Sequence, residues 1–265
     1  MTLRGNFPWE NKGMNAKTTW LAALLTAAFL GAPGVSWAAT EPEVTALAKK
    51  AAGGASDARE SLEKLAAEDA LAAHFLGMLY IGGRGVPQSE ETAIEWFRRA
   101  AAAGRPDSAH DLGVILQRST GPQRDLPAAR EWYRKAAEKG YARSQANLGE
   151  MLMGGSGGAR NDEEARQWIE KAVAQKDSRG LYLLGLLTLE GRAGIERNPA
   201  EAARLVTLGA EAKDRDAQYR LALMYGNGIG VEKSDAKAVE WLRKSAEAMQ
   251  ADAEYMLGTV FSRGR

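Results

Sequence analysis

The chain has 265 residues, of which 45% are hydrophobic and 26% charged, and its net charge is +1. That length and composition fit one or two ordinary globular domains, and the charge balance argues against a nucleic-acid binder, whose footprint is a basic patch or stripe. Cysteine is absent, which excludes a disulfide framework, a thiol nucleophile and a Cys-rich zinc site.

The first segment, residues 1–38, reads as a signal peptide. Lys17 precedes an apolar stretch from Trp20 to Val35, followed by the small residues Ser36 and Ala38. This basic, apolar, small-residue order is that of a secretory signal, with cleavage expected after Ala38. The apolar run is short for a membrane span, so no stable membrane insertion is expected after cleavage. A retained anchor is the competing reading. Met14 would give a conventional signal length and is a second candidate start. Arg4, Lys12 and Lys17 stand against Glu10 in this segment, so the remainder carries 32 basic and 33 acidic residues. Export without cysteine suits the bacterial periplasm, or secretion.

Residues 39–69 are Ala-rich and charged, a helical segment broken at Gly53-Gly54, and read as an N-terminal cap. From residue 70 the sequence repeats. Leu-Gly occurs at Leu76, Leu112, Leu148, Leu184 and Leu257, with Leu221-Ala222 filling the gap, at spacings of 36, 36, 36, 37 and 36. Four residues after each Leu stand Tyr80, Leu116, Leu152, Thr188, Tyr225 and Phe261. Further on come Trp96, Trp132, Trp168, Leu205 and Trp241, each with an Ala three residues before it (Ala93, Ala129, Ala165, Ala202, Ala238). A fixed period of this size marks a repeat array. Within one unit, Leu and the residue four later share a helix face. Gly or Ala after the Leu leaves room for a second helix, and Ala-x-x-Trp forms the facing stripe. Glycine clusters such as "GGRGV" and "GNGIGV" turn the chain between the helices. Ser89, Asp125, Asn161, Asn198 and Ser234 are placed to cap the second helices. One hairpin cannot bury these stripes, but stacked neighbours can. The Trp slot is expected to be core.

These motifs resemble the Sel-one-like repeat family, relatives of the tetratricopeptide repeats. The pattern Leu-Gly-x-x-Tyr-x-x-Gly-x-Gly-Val, then Ala-x-x-Trp, is whole at Leu76 to Ala101 and nearly whole at Leu221 to Ala246. The unit near Leu112 lacks most of the glycine turn, and the unit near Leu184 lacks Trp and carries one extra residue. The resemblance implies an all-α fold: an α-solenoid of stacked antiparallel helix pairs over residues 70–265, about five and a half repeats. The sixth unit, after one helix, either caps the stack or marks a truncated chain.

Motifs of chemistry are sparse. The glycines are turns, since no Gly-Lys-Ser/Thr follows a strand. His74 and His110 occupy one slot in adjacent repeats, and Asp111 lies beside the second, but zinc wants at least three protein ligands. Elsewhere that slot holds Ala146, Tyr182, Tyr219 and Tyr255, which makes it a general surface-lining position. No metal and no cofactor are expected. Ser61-Leu62-Glu63-Lys64 matches the Ser-x-x-Lys nucleophile motif, without the partner motifs of penicillin-binding enzymes.

Slots that vary between repeats are candidates for binding. The positions five before, two before and two after each Leu share one face of the first helix. By resemblance to tetratricopeptide arrays, that face lines a concave groove. It would comprise Leu71, His74 and Met78; Asp107, His110 and Val114; Arg143, Ala146 and Glu150; Arg179, Tyr182 and Leu186; Asp216, Tyr219 and Leu223. Asn147 and Arg220 flank it. Tyr and Arg are favoured at interface hot spots. The function expected is a protein or peptide-binding module, an adaptor, regulator or assembly factor in the bacterial envelope, and not an enzyme. The alternatives are a weak β-lactam-binding or hydrolysing enzyme and a peptidoglycan-binding protein.

Overall fold

The computed structural model describes residues 39–247, and the expected signal segment lies outside them, as does the first helix of a sixth repeat. The described chain is all-α. Two compact units divide between Arg105 and Pro106.

The first unit holds α1 (Glu41–Ala52), α2 (Ser56–Leu65), α3 (Ala70–Gly82) and α4 (Glu90–Ala102). The break between α1 and α2 falls at Gly53 and Gly54, and both helices pack on α3. The second unit holds α5 (Pro106–Arg118), α6 (Leu126–Glu138), α7 (Ala142–Gly154), α8 (Asp162–Ala174), α9 (Ser178–Glu190), α10 (Pro199–Glu211), α11 (Arg215–Asn227) and α12 (Asp235–Glu247). Odd and even helices pair as hairpins, and within the second unit α6, α8 and α10 each pack on the first helix of the next hairpin.

Local chemistry sets these boundaries. All five expected caps accept from the backbone N–H three residues on: Ser89, Asp125, Asn161, Asn198 and Ser234. The first helices α3, α7, α9 and α11 end on a left-handed glycine, the conformation that releases the last carbonyls to the turn. Some turn glycines are also dictated by space. A β-carbon on Gly157 would lie 2.3 Å from the Leu126 carbonyl oxygen, and one on Gly230 would lie 1.9 Å from that of Pro199.

The core depends on the glycine after each repeat Leu. A β-carbon there would stand 2.8 Å from the Phe97 ring at Gly77, 2.8 Å from Tyr133 at Gly113, 2.5 Å from Ile169 at Gly149 and 2.7 Å from Val206 at Gly185. In the fifth repeat Ala222 replaces glycine and packs with Leu242. So the residue that locks each hairpin is the one after the Trp slot. Phe97, Tyr133, Ile169, Val206 and Leu242 are all buried.

The expected core role of the tryptophans is therefore corrected. Trp96, Trp132, Trp168 and Trp241 are half-buried, one residue off the face that meets the first helix. A cation three residues on covers each ring: Arg99 at 4.8 Å, Lys135 at 4.0 Å, Lys171 at 3.9 Å and Lys244 at 3.9 Å from the centroid. Such contacts contribute about 0.5–1 kcal/mol at exposed sites.

Gly113→Ala is expected to cost about 1–3 kcal/mol by overpacking against Tyr133. In a Tyr133→Leu background, which copies the Ala222–Leu242 pairing, the added cost falls below about 1 kcal/mol. A double-mutant cycle by urea denaturation reads both values.

Candidate functional site

A polar cleft of about 640 Å³ opens in the second unit across the first helices. Gln117 and Arg118 enter it from α5, Asn147 and Glu150 from α7, Arg179 from α9, and Asp214, Arg215 and Asp216 from the start of α11. Arg124 and Ser156 reach it from the turns.

Arg179 sits at its centre. Its Nη2 donates to Glu150 Oε1 at 2.6 Å and its Nε to Oε2 at 3.3 Å. Nη1 donates to Asp216, and Asp214 stands 3.7 Å away. The guanidinium also covers the Tyr182 ring at 5.1 Å. Burial works against the charge, but the three carboxylates hold the Arg179 pKa above its ordinary value. Asp214 also caps α11 through Ala217 N–H, and burial raises its pKa. The geometry follows the repeat: the slot five before Leu184 meets the slot two after Leu148 and the slot five before Leu221. Three successive repeats are tied through one side chain.

The mouth of the cleft differs. Arg118, Arg124 and Arg215 are exposed, and among the described residues none has an ion-pair partner. The interior thus holds more acid than base, while the rim presents uncompensated guanidinium groups suited to carboxylates.

Of the residues read from sequence, the structure brings Asn147, Glu150, Arg179 and Asp216 into this cleft, with Tyr182 beneath Arg179. Burial raises the Tyr182 pKa, against the nearby positive charges of Arg220 and Arg179. Tyr219 packs on Ala222 and Leu242 instead, and Leu186 is half-buried outside the cleft lining. Leu71, His74 and Met78 belong to the first unit.

The slot two before Leu was expected to line the surface, and there the structure corrects the sequence. In the first three repeats that slot is buried, with His74 and His110 7% exposed and Ala146 0%, and Met78, in the slot two after Leu76, is 8% exposed. His74 lies 5.6 Å from the Phe97 ring, and His110 lies 5.6 Å from Tyr133 and 5.1 Å from Tyr141. The His110 Nδ1 shares a hydrogen bond with Ser144 Oγ at 2.9 Å. These imidazoles fill space against the locking aromatics. Among the described residues no group of three His, Asp or Glu gathers to hold a metal. Asp107 and Arg143 remain on the surface side of this cluster.

Ser61 is exposed on α2, and its hydroxyl donates to the Asp57 carbonyl at 2.8 Å. Exposed Lys64 shares that helix surface. Both side chains of the Ser-x-x-Lys match thus face solvent from one helix surface.

Sequence reasoning missed Gln117, Arg118, Arg124 and Arg215. A signal existed for Arg118, which stands where the first repeat carries Gly82, in the unit that lacks most of the glycine turn.

Comparison with known proteins fits this architecture. The Sel1 repeat model matches residues 70–104, 106–141, 142–177, 178–214 and 215–248. The chain belongs to the Sel1 repeat family. Sel1 repeats generally mediate protein–protein interaction and are typically non-enzymatic. A Sel1 repeat protein from Oxalobacter formigenes is 30% identical, with 82% of this chain and 85% of that one covered at a TM-score of 0.71. The protective antigen c5321 of uropathogenic Escherichia coli is 28% identical, covering 83% of this chain and 52% of that one, with a TM-score of 0.61. The immunity protein PA5088 of Pseudomonas aeruginosa shares the fold at 17% identity, covering 75% and 72% at a TM-score of 0.52. Comparison with curated proteins gives no match. No helix among the described residues is long and apolar enough to cross a membrane.

Two outcomes follow from the cleft. Arg179→Met leaves three carboxylates facing one another and is expected to cost about 2–4 kcal/mol at pH 7. The loss shrinks near pH 4 as they protonate, and urea denaturation at the two pH values reads it. Asp111, beside His110, has its pKa raised to about 7 by burial and by Asp107, against Arg143. A raised carboxyl stabilises the fold fully below its unfolded pKa and loses that contribution as pH rises through 7. Burial, with Arg143 and Arg118, lowers His110 to about 4, which opposes this trend between pH 4 and 6.5. Asp111→Asn is therefore expected to gain on the wild type between pH 4 and 8 in thermal melts.

Proposed function

We propose that this chain is an exported bacterial binding protein that holds a segment of another protein in the cleft across α5, α7, α9 and α11. The observation that carries this is the contrast within the cleft: Arg179 is satisfied by Glu150, Asp214 and Asp216, while Arg118, Arg124 and Arg215 are exposed without acidic partners. The caged arginine fixes the floor, and the rim is left for a partner's side-chain or terminal carboxylates. Charged rims of this kind set encounter rate and specificity.

The export reading rests on the Lys17, Trp20–Val35 and Ser36–Ala38 pattern, and N-terminal sequencing of the protein recovered from a bacterial envelope fraction tests it. An N-terminus at Ala39 supports export; a retained Met1 or Met14 overturns it. An adaptor, regulator or assembly role in the envelope follows from both readings together.

The cleft is tested by cross-linked capture from envelope extract, comparing wild type with an Arg118→Glu, Arg124→Glu, Arg215→Glu variant of equal helicity. Enrichment of one protein by wild type, reduced at least about tenfold in the variant, is the expected result. Equal enrichment places the partner elsewhere.

A further inference from the structure

The slot one before the repeat Leu holds a different residue in each unit: Phe75, Asp111, Asn147, Leu183 and Arg220. Leu183 is 2% exposed, so the fourth repeat closes this slot with an apolar side chain. The fifth repeat places a cation there. Arg220 is half-buried on α11, one turn beyond Asp216 and outside the cleft lining.

A half-buried guanidinium needs acceptors, because each shielded donor left unmatched loses its hydration without return. The other half-buried arginines of the second unit have them. Arg134, Arg166, Arg179 and Arg192 each bond to a carboxylate, and Arg130 donates to the Ala159 carbonyl. Arg220 is the exception. Its Nε is shielded from water without a hydrogen-bond partner. Among the described residues no carboxylate forms an ion pair with it. Arg59, whose Nε is shielded in the same way, has Glu63 at 3.6 Å. Asp216, the carboxylate one turn back on α11, is engaged by Arg179.

The oxygen beside Arg220 is a phenol. Tyr182 is half-buried, and the Arg220 and Arg179 charges work against the rise that burial gives its pKa. A neutral phenol does not balance a guanidinium, and its O–H is a further donor. The two Arg220 Nη nitrogens do not share the burial of Nε, and together they form an edge that takes both oxygens of a carboxylate. Arg179 shows this complement in the same unit, bonding both oxygens of Glu150 through its guanidinium.

We propose, on the reading that a partner segment lies across the first helices, that Arg220 and the Tyr182 hydroxyl form a binding site for a carboxylate of that segment. The carboxylate accepts from the Arg220 Nη groups and from the Tyr182 O–H. It comes from an Asp or Glu side chain or from a chain terminus. The cation is kept at some cost in stability, since Leu183 shows that an apolar side chain closes the same slot.

The test uses the full chain with isotope-labelled arginine side chains and reads their Nε–H resonances by NMR, with N-acetyl-glutamic acid α-amide as probe. A saturable shift is expected at Arg220, with an affinity at least about tenfold above that at exposed Arg118, Arg124 and Arg215. The uncharged N-acetyl-glutamine amide gives none. N-acetyl-alanine offers a terminal carboxylate instead, and whichever acid binds more tightly names the source. Tyr182→Phe is expected to weaken binding about threefold or more. Arg220→Leu, which copies Leu183, removes the shift and raises Tm by a few degrees without the probe. Absence of a saturable Arg220 shift with both acids overturns the site, as does equal binding at the exposed arginines or of the uncharged amide. A lower Tm for Arg220→Leu also overturns it, by showing that the guanidinium is already satisfied in the free protein. These readouts need no partner, so they fail independently of the capture experiment with the rim variant.

Discussion

Close approach of the two helices in each hairpin is the constraint on which the structure depends. A β-carbon at Gly113 or Gly149 would overlap the residue that locks the hairpin. Without it, Tyr133 and Ile169 lie on the backbone of the first helix and are fully buried. The same contact sets the rotation of the second helix, and that rotation leaves the tryptophan one residue earlier at the rim. Where glycine becomes Ala222, the facing residue is Leu242. The slot two before the repeat Leu is drawn in by the same packing, which is why His74 and His110 lie against aromatic rings.

With the hairpins locked, the remaining first-helix positions of successive repeats are brought into reach of one another. Arg179 bonds to Glu150 and Asp216, 29 and 37 residues away, because neighbouring repeats place these slots side by side. Such a pair resists easy replacement: a partly buried charge is tolerated only when its partners stay in place. The exposed arginines at the rim carry no such constraint, and they are the groups available to a partner.

Variation between repeats carries a different meaning on each surface. On the first helices it produces the charge pattern of the cleft. In the fourth hairpin it puts Leu205 in the Trp slot, Thr188 in the Tyr or Leu slot and Leu208 in the slot of the covering cation. A repeat array makes such departures visible, since the sibling units define what each slot contains.

The sequence by itself determined the all-α repeat architecture, the hairpin period and the helix ends. These depend on interactions within one unit: the Ser89 or Asn161 side chain caps its own helix, and the Leu-to-Leu spacing is read directly. It also placed Glu150, Arg179 and Asn147 on one face, since helical spacing fixes direction. Depth was not legible. Whether a residue on that face is covered depends on side chains one repeat away, so His110 and Met78 share a stripe with Arg179 yet are buried. The Trp slot and the slot after it differ by about 100° around the helix, and only packing against the first helix decided which of the two became core. Arg118, the last residue of α5, and Arg124, in the turn after it, joined the cleft through the path of a turn that lacks most of its glycines, which periodicity does not describe.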